Sequence, residues 1–212
     1  MRANTQNASW AKKLKVVDFN GMELIGYSLW HKLTYTSATT LALNFFQTAA
    51  ALITDGNMKT NTLPAGHQFL IQAIRFCPLL DTRETALAAP AGGETGAVVK
   101  DMKELIYDGI GELFINEKPY GSWPLFQLPS GAGVTGMLGV VGSGTNNAAE
   151  YEYATNGIPD PRAVYTLAVP IPLPQLSLLR FTTTWDAAKT LSVGNSPIIV
   201  ILDGQLLRPR TA

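Results

Sequence analysis

The chain has 212 residues, with 16 Lys+Arg against 16 Asp+Glu, two His, and charged residues at 15% of the total. An ordinary soluble domain carries about 25% charged residues, so this surface is built largely of small polar and apolar groups or is buried against other chains. The zero net charge excludes a protein that coats nucleic acid, since counterion release needs a basic excess, and 46% hydrophobic residues exclude a chain disordered by composition.

In chain order, residues 1–20 read as an N-terminal arm and residues 21–212 as one domain. The arm combines Trp10 with Lys12, Lys13 and Lys15, a cluster suited to an anionic lipid headgroup zone, so it is a candidate membrane-facing arm beside the plainer reading of a flexible terminus. It lacks the apolar stretch of a secretory signal. No run of 18 apolar residues is present to span a membrane as a helix. Leu41, Leu43 and Phe45 alternate with polar or small residues and predict a strand, whereas QTAAALIT after Phe46 fits helix or strand equally. QFLIQAIRF is apolar on both faces (Phe69, Ile71, Ala73 against Leu70, Ile74, Phe76), as in a central strand. Residues 86–96 and 131–147, rich in Gly and Ala, read as long loops, which tend to be functional or to contact neighbours.

Between those loops, Val98, Met102, Leu105 and Ile106 share one helical face, with Gly109 placed to end a short helix. Leu113 and Ile115 mark a further strand, and KPYGSWPLF reads as a Pro/Gly-framed turn. The run from Ala163 to Leu173, cut by Pro170, Pro172 and then Pro174, predicts an edge strand or a polyproline-like lead-in, because proline cannot donate to a ladder. SLLRFTTTW alternates cleanly, with Leu179, Phe181 and Trp185 inward. The final PIIVILDGQLLRP contains Asp203-Gly204, which suits either a type I′ hairpin turn or a bulge in one long strand. Together these short runs predict an all-β fold.

Chemical motifs are sparse. Gly131-Ala132-Gly133-Val134-Thr135-Gly136 matches the dinucleotide-binding spacing but lacks the flanking strand and helix that hold a pyrophosphate, so it reads as a loop. His31 and His67 have no partner at ligand spacing and are expected on the surface or at strand ends. The single Cys77 permits no intrachain disulfide and reads as a small buried hydrophobe. Glu112 and Glu117 flank a strand, but a separation of five puts them on opposite faces and weakens a glycosidase pair. No catalytic, cofactor-binding or metal-binding residue is therefore assigned. Tyr120 and Trp123 are candidates for exposed aromatics at a protein interface or a glycan site.

Three segments, Gly56 to Phe76, Ile158 to Trp185 and Pro197 to Arg210, resemble jelly-roll coat proteins of icosahedral, often membrane-containing, bacteriophages. The similarity is carried by a Leu63-Pro64-x-Gly66 turn leading into a long strand, then Leu179-Arg180-Phe181, then Leu202-Asp203-Gly204 and Arg208. It implies a single jelly-roll sandwich of about eight strands, since the length is short for a double one. It also implies a structural virion protein without enzymatic activity or cofactor, assembled in the host cytoplasm. The partners implied are copies of itself, other capsid proteins and an internal viral membrane, with no direct nucleic-acid binding and no small-molecule substrate. A phage tail-fibre or receptor-binding module, or a lectin-like β-sandwich, is the alternative. Sparse charge fits a shell subunit, whose interfaces are depleted in charge.

Overall fold

The computed structural model describes residues 22–50, 52–58, 60–78, 97–129, 135–141, 149–155, 164–191 and 194–209. These form ten strands, one α-helix and a single 3-10 turn. The strands are β1 (Met22–Tyr35), β2 (Ala42–Phe45), β3 (Gln68–Pro78), β4 (Gly109–Ile115), β5 (Lys118–Pro124), β6 (Thr135–Val141), β7 (Ala149–Thr155), β8 (Thr166–Leu173), β9 (Leu179–Trp185) and β10 (Ser196–Pro209). The helix α1 spans Ala97–Tyr107, as its apolar face predicts, while Gly109 opens β4 and does not cap the helix with a positive φ.

Two antiparallel four-stranded sheets, β1-β10-β3-β8 and β2-β9-β4-β5, share one hydrophobic core, giving an all-β sandwich. The hairpin β6-β7 stands apart and falls within and just after the segment 131–147, which composition had marked as loop. Glycines at 136 and 139 lower strand propensity, which is why the segment carries no alternating signal. KPYGSWP is likewise a strand, β5, rather than a turn. The true turn lies just before it, where Asn116 and Glu117 both take positive φ, the signature of a two-residue type I′ hairpin.

The pairing follows a regular scheme. The strands of the first half pair with those of the second in reverse order, β1 with β10, β2 with β9 and β3 with β8, and β4 with β5 closes the series. The long central strand β3 lies between β10 and β8, so both of its hydrogen-bonding edges are paired. Its inward residues are Phe69 and Ile71, then Ile74 and Phe76. The parity change coincides with a register shift between Ile71 and Ala73, since one extra residue flips every following side chain.

Asp203-Gly204 makes no hairpin. β10 runs straight through as one strand with a register shift at that dipeptide. A Cβ on Gly204 would stand 1.8 Å from the carbonyl oxygen of Leu70, so glycine is required by close backbone approach rather than by a turn. Just before this end of β3, His67 N–H bonds to the Pro64 carbonyl at 3.1 Å and Gly66 has φ +80, a type II turn in which only the third residue needs positive φ.

The sandwich ends are tied by specific polar contacts. At one end, Ala38 N–H bonds to the Lys189 carbonyl, and the Lys189 ammonium bridges Asp108 and Asp186, so β1–β2, β9–β10 and the end of α1 meet. At the other, Asn116 bonds Leu178 in both directions, and Gln175 accepts the Gly66 N–H.

Candidate functional site

The sheets end along one side in β5 and β8, and a groove of about 360 Å³ lies between these edges. Tyr120 and Trp123 form one wall; Tyr165, Val169, Pro170 and Pro172 form much of the other. The sequence explains both walls. A Cβ on Gly121 would meet the Trp123 ring at 2.5 Å, so the glycine lets the indole fold flat across its own strand and pack on the core. Prolines in β8 remove the N–H groups that an edge would otherwise offer.

Tyr120 is 40% exposed, with the Lys118 ammonium 5.6 Å from its ring centroid, and Val169 is 77% exposed. None of the lining residues carries a charge. Aromatic faces and pyrrolidine rings can stack against another apolar or sugar surface, and two phenol hydroxyls can hydrogen-bond at its edge. The two aromatics singled out from sequence therefore come together; Tyr165 and the β8 prolines complete the groove and were not anticipated as its partners, because nothing local links residues so far apart.

The other candidates are dispersed. Trp10, Lys12, Lys13 and Lys15 lie outside the described residues, as do residues 131–134 of the glycine motif; Gly136 lies in β6 and strand, not helix, follows it. Glu112 faces outward in the middle of β4, where it is opposite Thr182 and Ser122. Glu117 sits in the hairpin turn and pairs with Arg180 at 2.7 Å, whose guanidinium also covers Phe114 at 4.3 Å. The I′ turn thus swings Glu117 towards the outer face, contrary to the opposite-face expectation, but its carboxylate is engaged by Arg180. Cys77 is half-buried in β3. Among the described residues no group of three or more His, Cys, Asp or Glu is placed to hold a metal, and no helix is long and apolar enough to cross a membrane.

His31 corrects the expectation of a surface or strand-end histidine. It is buried in the inward row Leu29, His31, Leu33, Tyr35 of β1. Its Nδ1 accepts the Phe46 N–H at 2.8 Å, its ring lies against Phe45 and Phe46, and burial lowers its pKa against a smaller opposing pull from Asp55. The alternation LWHKLTY was available as a signal, but a histidine in an otherwise apolar row hides it. His67 matches the strand-end expectation, one residue before β3.

Compared with protein-family models, curated proteins and solved structures, the chain matches none.

Proposed function

We propose that this protein is a structural virion protein, a jelly-roll coat subunit that assembles with copies of itself into an icosahedral shell. The observation that carries the reading is the strand order. Numbering only the eight sandwich strands in sequence, the sheets run 1-8-3-6 and 2-7-4-5, the order produced when one long antiparallel ribbon is rolled into two Greek keys. Coat proteins and lectin-type domains both use that architecture. The choice between them rests on the surface. Balanced, sparse charge and apolar residues exposed on several sides, among them Leu41, Tyr107, Ile110, Phe126 and Val169, suit a subunit whose neighbours finish its surface.

The uncharged groove at the β5 and β8 edges is a lateral contact in this reading. A C2 or cyclic assembly repeats the same patch on every copy, and proline-blocked edges steer association toward side-chain packing rather than open-ended strand addition. Electron microscopy and mass measurement of the purified chain test the proposal. Capsomers or megadalton shells support it; a monomer or small oligomer at all concentrations overturns it.

A second reading has its own support, the aromatic groove of Tyr120, Trp123 and Tyr165, which offers stacking faces for a sugar in a receptor-binding or lectin-like module. Saturable binding of an immobilised glycan by a non-assembling chain, lost on Tyr120→Ala, would favour it over the shell.

A further inference from the structure

We propose a second, unrelated site: a pocket that takes a small monocarboxylate with an apolar body, under the overhang of the longer sheet. β1 and β10 each have 14 residues, roughly 46 Å of strand, whereas β4, β5 and β9 have seven, roughly 23 Å. The inward face of β1 and β10 therefore extends past the sheet opposite it. The β2–β3 connection folds over that overhang. Asn57 anchors it by accepting the Trp30 N–H at 2.9 Å and donating to the Ser28 carbonyl at 2.6 Å.

The cover is incomplete and leaves a pocket of about 330 Å³, within the range of small-molecule sites. Leu29, Leu63 and Leu206 give it an apolar floor. The polar groups come from three separate segments: Tyr27 on β1, Arg208 on β10, and Asn57, Thr60, Thr62 and His67 on the connection. The Arg208 Nε donates to Glu23 at 2.5 Å, which leaves both Nη groups without a partner among the described residues. The Thr62 hydroxyl is likewise unengaged, and the Tyr27 hydroxyl, approached by the Asn57 amide at 3.4 Å, still has its own proton to give.

This set is rich in donors over an apolar floor, and a carboxylate is the acceptor that a guanidinium fork and hydroxyls match best. Glu23 holds one edge of the guanidinium and competes for its charge, so affinity is set by the balance between Glu23 and the incoming carboxylate.

The test uses the full chain, hexanoate as probe and hexanamide as its uncharged isostere, followed by amide chemical shifts in a titration. Saturable shifts are expected at residues 27–29, 57, 58, 60–63 and 206–208 with hexanoate. Hexanamide and Arg208→Gln should each weaken binding roughly tenfold or more, the usual effect of losing a charge-assisted hydrogen bond. Glu23→Gln should tighten it a few-fold. Equal affinity for hexanoate and hexanamide, binding unchanged by Arg208→Gln, or no saturable shifts at these residues would each overturn the proposal. The comparison of the two probes on the parent protein needs no mutant to fold.

Discussion

The imidazole Nδ1 of His31 accepts the backbone N–H of Phe46, a residue buried in the core with φ +63. A bulky residue in the left-handed region is strained, and its N–H points away from any strand ladder. The histidine satisfies that donor where β2 turns into the following connection, so a side chain on the edge strand of one sheet fixes the exit of the edge strand of the other. To accept the bond, Nδ1 must be unprotonated, and the proton of the neutral ring resides on Nε2.

Stability should consequently fall in mild acid. Burial lowers the His31 pKa below its ordinary value of 6.5, so the unfolded chain binds the proton more readily than the folded one. The contribution is complete above about pH 6.5, is lost as pH falls from there to the lower folded pKa, and changes no further below it. Lys32, paired with Asp55 at 3.0 Å, offsets the Asp55 charge that would otherwise favour protonation. His31→Ala should cost about 3 kcal/mol at pH 7.5 by leaving a cavity and an unpaired N–H, and it should flatten the pH dependence below pH 6.5. Urea unfolding at several pH values measures both; an unchanged slope in the variant would refute the assignment.

Thr183 lies fully buried in β9, opposite Leu43 and Gly111, and its hydroxyl has no hydrogen-bond partner among the described residues. Replacing an unsatisfied hydroxyl by an isosteric methyl removes a desolvation penalty. Thr183→Val should stabilise the protein by about 1 kcal/mol, read as a raised urea midpoint with an unchanged m-value. Destabilisation would mean that the hydroxyl is satisfied in solution.

Glycines at two positions are fixed by close approach. Gly204→Ala drives a Cβ into the Leu70 carbonyl, which is backbone and cannot rotate away; a loss of more than about 3 kcal/mol is expected. Gly111→Ala meets the Phe181 ring at 2.4 Å. Because that ring is buried and hemmed in, the expected loss is about 1–3 kcal/mol. Thermal unfolding of the two variants should rank Gly204→Ala as the more damaging, and the reverse order would contradict the rigid bulge in β10.

Val169→Lys separates folding from the association proposed above. The side chain is exposed in the isolated subunit, so stability should change by less than about 0.5 kcal/mol. A lysine at the rim of an uncharged contact would be desolvated without a partner, and assembly should be lost while the monomer stays folded. Light scattering and circular dichroism on the same sample decide it: intact assembly would place the contact elsewhere on the surface.

Much of the fold was legible along the chain, because alternation of one apolar face is a local property. SLLRFTTTW, QFLIQAIRF, the helix before Gly109 and the proline-marked edge strand all appear where their patterns put them. β1 carries a weak pattern because His31 interrupts its inward row, and β6 because its glycines carry no alternation. Local pattern also brought out Tyr120 and Trp123, although as a turn rather than as one wall of a groove.

What the amino-acid order determined by itself was composition, sparse charge and the β character of most segments, each a property of neighbours within a few residues. Tertiary structure alone decided that β10 is one bulged strand, that His31 belongs to the core, that Tyr165 and two prolines face the aromatics of β5, and that unequal sheet lengths leave a pocket beneath Arg208. These depend on pairing between residues tens to hundreds of positions apart, such as Glu23 with Arg208, and no local period encodes a partner at that distance.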